Sequence, residues 1–431
     1  MPSHRVQLLY GKTTCDVSLP DEYRIHEIHK KPSNALPDPA SATLAALQDP
    51  VAMRPLSQIA RNARSVCILI SDITRPTPNG VVLPHIMAEL EAAGISRDNV
   101  TILIATGLHR PAPEAEKRII VGDETVFSSV RIENHYANND DQHARMRATT
   151  RGTPVLIDKR FVEADVKILI GLVEPHFMAG YSGGRKLVAP GIAHRETILT
   201  FHAPQFMEDP NARNCNLEGN PLHEDQLEIV SMVGDIFAVN VIIDEERDIV
   251  FVNAGDVIQS HLEAVDFARR ICEVEISRQF STILTSAGGF PLDKTYYQTV
   301  KGMVSPLDIL KPGGNIIIVS ECSERMGSEN FQESQRWLAE SDPQSFIRRI
   351  SDPGHKTLID QWETEKLVEP LKKGEVYLFS ESLTEADWAL TCVHRVRKVE
   401  QAVQDSVAQS GDPHIAVIPE GPYVIPLFKP L

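Results

Sequence analysis

The sequence predicts two α/β domains, each built around a mainly parallel sheet. Three observations carry that prediction. Short runs such as Ser65-Val66-Cys67-Ile68-Leu69-Ile70 are apolar at nearly every position, as strands covered on both faces are. Each run leads into a turn-rich loop and then a helical pattern, which is the rhythm of strand–crossover–strand units. The rhythm stops in a polar, irregular stretch at 208–225 and restarts near residue 273. We therefore expect an N-terminal domain over 1–272, a second domain over 273–413, and a strand-like tail, 414–431, that returns to the first.

Taken in order, residues 5–31 read as short strands and turns around Tyr10-Gly11-Lys12, and the prolines at 32, 37 and 39 mark a surface connection. The strand at 65–70 ends in Ser71-Asp72-Ile73-Thr74-Arg75-Pro76, and a helix follows over about 81–93. The strand at 99–105 ends in Thr106-Gly107-Leu108-His109-Arg110. The strand at 166–173 ends in Glu174-Pro175-His176 and a glycine-rich turn, Gly180-Tyr181-Ser182-Gly183-Gly184-Arg185-Lys186, before a helical pattern from Arg195 to His202. A hairpin is expected over 236–253 and a helix over 257–272. In the second half, strands are expected at 280–286 and 315–320, with a helix between them that carries Tyr296-Tyr297-Gln298-Thr299-Val300-Lys301. Ligands of parallel sheets bind at the carboxyl ends of strands, so the loops 71–80, 106–110 and 174–186 share one address.

Composition bounds what can bind there. The 431 residues are 42% apolar, enough for real cores, and carry a net charge of −16. That charge argues against nucleic acid or a membrane surface as a partner. The six cysteines include no CxxC pair, which fits a reduced, cytoplasmic protein with no structural zinc. The N-terminus lacks the apolar run of a signal peptide, and no segment approaches the ~18 residues that span a bilayer.

Each candidate residue has a plain reading beside a functional one. His109 and His176 end two strands of one sheet, and two histidines facing one pocket suit acid–base work near neutral pH; a lone loop histidine is more commonly a surface residue. Arg75 can hold a carboxylate or phosphate through its planar fork. Asp72 can instead cap the helix that follows. Glycines such as Gly183 and Gly184 let a backbone approach a ligand. Lys186 reads as a solvated lysine or as a reactive amine beside the cation Arg185. His202 can ligate a metal, and His194 reads as a surface residue. Gly180-Tyr181-Ser182-Gly183-Gly184 also matches the G-x-S-x-G elbow of α/β hydrolases, with Ser182 as nucleophile, although Glu174–Ala179 separate it from the strand.

Taken together, these loops resemble the lactate racemase family, the nickel-pincer-nucleotide enzymes, over nearly the whole chain. The pieces occur in order: Ser71-Asp72-Ile73-Thr74-Arg75-Pro76, Thr106-Gly107-Leu108-His109-Arg110, Glu174-Pro175-His176 through Lys186 to Pro190-Gly191, then His202, and Tyr297-Gln298-Thr299-Val300-Lys301. The resemblance implies that Lys186 carries the nickel-pincer nucleotide covalently and that His202 ligates its nickel. It implies His109 and His176 as the two acid/base residues. Arg75 and Lys301 would hold a substrate carboxylate, with Tyr297 and Gln298 nearby. Asp72 and Thr74, with Arg75, Gly183 and Gly184, would bind the nucleotide. The implied fold is two α/β domains with a cofactor cleft between them. The implied reaction inverts C2 of a 2-hydroxy acid by hydride transfer, and the implied partners are enzymes that make the cofactor and insert nickel. The motifs read only the shared carboxylate and hydroxyl, so lactate stands beside longer, aromatic or polyhydroxylated acids. Two readings from other classes remain: the Ser182 hydrolase, and a non-catalytic 2-hydroxy acid binding protein.

Overall fold

The computed structural model describes residues 3–430. The chain opens with a hairpin, β1 (Ser3–Tyr10) and β2 (Thr13–Pro20), followed by β3 (Arg24–Glu27). It then builds a first sheet from β4 (Val66–Ser71), β5 (Val100–Ala105), β6 (Arg131–Asn134), β7 (Val166–Leu172), β8 (Phe237–Ile243) and β9 (Ile249–Asp256). A second sheet takes β10 (Phe280–Ser286), β11 (Leu310–Val319), β12 (Gly374–Phe379), β13 (His394–Val396) and β14 (His414–Ile418). The helices that matter below are α1 (Asn79–Ala92), α2 (Arg195–Phe201), α3 (Pro204–Met207), α4 (Gln259–Cys272), α5 (Tyr296–Val304), α6 (Glu329–Ala339) and α7 (Gln361–Lys373).

The chain divides into two compact units. One comprises Pro32–His202 and Pro210–Arg270 and holds the first sheet, in the order β9-β8-β7-β4-β5-β6. All its pairings are parallel except the β8–β9 hairpin. Every residue of β4 is buried, as its all-apolar sequence requires of a central strand. From β4 the chain moves one way through β5 and β6, then returns and moves the other way through β7 and β8. The carboxyl ends of β4 and β7 therefore flank a topological switch point, where loops diverge and leave a crevice. Register aligns these ends: Ser71 lies beside Ala105, and Ile70 beside Ile170.

The other unit comprises Met1–Lys31, Ala203–Asp209 and Ile271–Leu431. Its sheet runs β13-β12-β11-β10-β14-β3 and is parallel throughout. Two expectations differ from this. The tail 414–431 does not join the first domain: β14 pairs with β10 and β3, and Ile425–Phe428 pairs with Glu273–Ile276. Nor do the first 31 residues belong with the first sheet, since β3 is the edge of the second. Strand pairing between segments nearly 400 residues apart leaves no local signature in the sequence. No helix among the described residues is long and apolar enough to cross a membrane.

Each unit has its own core. Ile68 of β4 is fully buried with Ile102, Ile168 and Val239 from the neighbouring strands. An Ile68→Ala variant should lose about 2–5 kcal/mol, through lost burial and the cavity left behind. Chemical denaturation reads this as a lower midpoint at unchanged slope; an unchanged midpoint would contradict the packing described.

Candidate active site

Asp72 follows β4 and His109 lies on the loop after β5, so the pairing of those strands brings the two together. His109 Nδ1 lies 2.6 Å from Asp72 Oδ2. The other oxygen, Oδ1, accepts from the Thr74 amide at 3.1 Å and the Thr74 hydroxyl at 2.5 Å. Burial pushes the Asp72 carboxyl up, but the His109 hydrogen bond and charge, Thr74 and Arg75 outweigh it and hold the group below the usual carboxylate range. An ionised carboxylate only accepts, so His109 Nδ1 carries a proton, and in the neutral ring Nε2 then holds the lone pair. This is the arrangement that orients a general base. Both oxygens have partners within the protein, and the residue does not cap α1, whose N-cap is Pro78.

Across the switch point, β7 leads into Glu174 and His176. Arg75 Nη1 pairs with Glu174 Oε1 at 3.2 Å, both side chains about a quarter exposed. His176 Nδ1 accepts from the amides of Met178 and Ala179 at 3.3 and 3.2 Å. An amide can only donate, so the neutral His176 ring carries its proton on Nε2. The two histidines thus rest in opposite tautomers.

The glycine-rich turn is clasped back onto β7. Ser182 Oγ donates to the Leu172 carbonyl at 2.7 Å and accepts from the Glu174 amide at 3.0 Å. Ser182 is 3% exposed, so the hydrolase reading fails: its hydroxyl is a buried fastener, and the His261 ring contacts its carbonyl rather than its hydroxyl. A Cβ on Gly183 (φ +75°) would meet Val173 Cγ2 at 2.8 Å, and one on Gly184 (φ +48°) would meet the His261 ring at 2.8 Å. Their missing side chains make room for the protein packed against the turn. Arg185 is sealed inside by the same turn, its Nη2 donating to the Ala179 carbonyl at 2.7 Å, and burial lowers it to about 9.

Lys186 follows on the short turn Gly184–Leu187, half-buried. His202 sits at the C-terminal cap of α2, 6% exposed, with Nδ1 donating to the Ile198 carbonyl at 2.9 Å. That bond fixes the tautomer and leaves the lone pair on Nε2, as metal-ligating histidines require. Burial pushes His202 down to about 3, the Ile198 bond opposes this, and the nearby charge of Lys186 adds to it. His194, expected at the surface, caps α2 and contacts Asp140 at 2.9 Å. Among the described residues no group of three or more His, Cys, Asp or Glu side chains could by itself hold a metal ion.

Tyr297, Gln298 and Lys301 lie in the other unit, on α5 after β10. Lys301 Nζ donates to Gln298 Oε1, and the Tyr297 hydroxyl accepts from Trp362 Nε1 at 3.1 Å. Sequence reasoning missed two partners here: Glu174 as the counter-ion of Arg75, and Asp72 as the orienter of His109. The second was within reach, because Asp72 and His109 end neighbouring parallel strands.

With this geometry in hand, the chain can be set beside known proteins. A family model for the lactate racemase N-terminal domain matches residues 10–214, and one for the lactate racemase C-terminal domain matches 277–426. Lactate racemase of Thermoanaerobacterium thermosaccharolyticum is 34% identical over 97% of this chain and 98% of its own. Lactate racemase of Lactiplantibacillus plantarum is 31% identical over 97% and 99%. The structure of the T. thermosaccharolyticum lactate racemase apoprotein superposes with a TM-score of 0.90 at 32% identity, covering 98% of this chain and all of that one. A protein from Thermotoga maritima shares the fold, with a TM-score of 0.66 at 17% identity over 87% and 96% of the two chains.

Replacing Ser182 by Ala should cost about 1–3 kcal/mol through the orphaned Glu174 amide and Leu172 carbonyl. Serine-directed phosphonates should leave the native protein unlabelled; a phosphonate adduct on Ser182 would revive the hydrolase.

Proposed function

The chain belongs to the lactate racemase family, and we propose that it inverts C2 of a lactate-like 2-hydroxy acid, with His109 and His176 as its acid/base pair. The single observation that carries this reading is the Asp72–His109 bond of 2.6 Å, which makes a loop histidine an oriented base at the carboxyl end of a sheet. The chain is an isomerase, like its relatives, so the reading of a non-catalytic binder is set aside.

A carbon bearing hydroxyl and hydrogen next to a carboxylate is hard to invert by deprotonation, because the carbanion is poorly stabilised. Removing hydride avoids that species and leaves a planar 2-oxo acid. When bound, a nickel-pincer nucleotide supplies the hydride acceptor and donor. The residues present fit such a group: Lys186 offers an amine and His202 a neutral imidazole whose Nε2 holds the lone pair, near enough that the Lys186 charge helps keep the ring neutral. Lys186 would hold the organic part and His202 the nickel. Thr74, whose hydroxyl and amide both go to Asp72, contributes by bracing that carboxylate.

The protein's own groups then divide the proton work. His109 Nε2 takes the hydroxyl proton of one enantiomer while Asp72 steadies the imidazolium that results. Neutral His176 presents an Nε2–H, which can hydrogen-bond the substrate oxygen as it becomes a carbonyl. For the opposite enantiomer His176 accepts the proton at Nε2, which first requires its ring proton to move to Nδ1 and the Met178 and Ala179 amide contacts there to be released. Arg75, held at one side by Glu174, retains donors for the substrate carboxylate, and Lys301 with Gln298 and Tyr297 supplies the second grip.

Four outcomes test this. Protein produced together with cofactor-making and nickel-inserting enzymes should carry added mass on the Lys186 peptide and about one nickel per chain; active protein with unmodified Lys186 would overturn the assignment. His202→Ala should lose nickel while the mass on Lys186 remains, so full nickel retention would remove His202 from its role. Asp72→Asn should slow turnover by roughly 10²–10⁴-fold, as loss of an orienting carboxylate does. In single-turnover mixing with each pure enantiomer, the same variant should slow hydride release from one hand far more than from the other. Equal slowing of both hands would show that His109 is not hand-specific.

A further inference from the structure

The first turns of α7 are buried on every side although they are polar. Gln361, Glu363, Thr364, Glu365 and Lys366 are each at most 2% exposed. Buried polar groups need partners. Thr364 finds Ser334 and Gln335 of α6, and Lys366 binds the Met207 carbonyl at 3.3 Å and Glu369 at 2.6 Å. Burial, and then the charge of Glu208 just beyond α3, push the Glu365 carboxyl well above the usual carboxylate range. Like both Glu365 oxygens, Glu363 Oε1 has no hydrogen-bond partner, but Glu363 faces the part of α5 that carries Tyr297 and Lys301.

We propose that Glu363 is the positioning residue for Lys301: it shares that half-buried ammonium with the substrate carboxylate and so sets how strongly this unit grips the substrate. The inference rests on the reading of Lys301 as a carboxylate holder. An ionised Glu363 partly neutralises Lys301, and a second carboxylate arriving there meets a like charge at short range in a poorly solvated place. A protonated Glu363 leaves the Lys301 charge to the substrate. The groups that face Glu363 are Lys301 and Tyr297 from α5, Asp360 from the turn before α7, and Lys366 from its own helix. The α6 side chains at this helix, Ser334 and Gln335, are neutral, and Glu208 faces Glu365 instead. Burial pushes the Glu363 carboxyl up and Lys301 pulls it down, leaving it at about 8. The sign follows: the group is neutral below that value and charged above it, so substrate grip weakens as pH rises, and binding above it takes up a proton.

The test measures KM and kcat for L-lactate with cofactor-loaded wild type, Glu363→Gln and Lys301→Met. Wild-type KM should rise about tenfold between roughly pH 7 and pH 9, as one ionisation titrates. Glu363→Gln should hold the low KM across that range, with kcat following the wild-type pH profile. A flat wild-type KM, or a Glu363→Gln enzyme that keeps the wild-type rise, would overturn the proposal. Lys301→Met separates the two levels. If it leaves KM unchanged, the carboxylate-holder reading falls; if it raises KM while Glu363→Gln behaves as wild type, only Glu363 is misassigned. Should Glu363→Gln fail to fold, calorimetry of lactate binding to wild type in two buffers of different ionisation enthalpy decides. Net proton uptake above about pH 8 is expected, and none would refute the proposal.

Discussion

The clasp of Ser182 onto the end of β7 is the constraint from which the candidate site follows. Two hydrogen bonds, to the Leu172 carbonyl and from the Glu174 amide, fold the glycine-rich turn back over its own strand. The turn can lie that close only because Gly183 has no Cβ to strike Val173 and Gly184 none to strike His261. From the far side α4 holds it through His261, whose Nε2 lies 2.8 Å from the Ser182 carbonyl. With the turn closed, Glu174 reaches Arg75, the amides of Met178 and Ala179 meet His176, and Lys186 comes near His202. One buried hydroxyl thus governs three sets of side chains that make no direct contact with it.

Electrostatics sharpens the same picture. The chain carries a net charge of −16, yet its proposed substrate is an anion. A surface charge of that sign repels such a ligand only weakly through salt water, within about a Debye length of 8 Å. Within each unit the balance is local. In one, Arg75 is paired with Glu174; in the other, Lys301 lies among Gln298, Tyr297 and Glu363. Cations held by partial partners stay oriented and keep part of their charge for a ligand, where a bare buried cation would be costly and a fully paired one inert.

Much of the fold was legible in the sequence because its signals are local. All-apolar strands, proline and glycine stops, and the restart near residue 273 each act over a few residues, and most strands and helices begin and end close to where those signals fall. The loops at strand ends were legible for the same reason, since parallel sheets put ligands there. Residue types could not distinguish partners that meet only through pairing of distant segments. Asp72 reads as a helix cap or a nucleotide contact, and only the β4–β5 register brings its carboxylate to His109. Ser182 matches a nucleophile motif until its hydroxyl is found fastened to Leu172.

What the sequence determined by itself was the α/β class, the likeness to lactate racemases, and the residue types at each strand end, because these depend on short-range pattern and on order along the chain. Tertiary structure alone decided where the first 31 residues and the tail belong, which carboxylate meets His109, and which carboxylate faces which cation. The physical reason is common to all three. Each is a hydrogen bond or charge contact made across elements that the chain visits far apart, and its energy depends on distance and burial that no local pattern encodes.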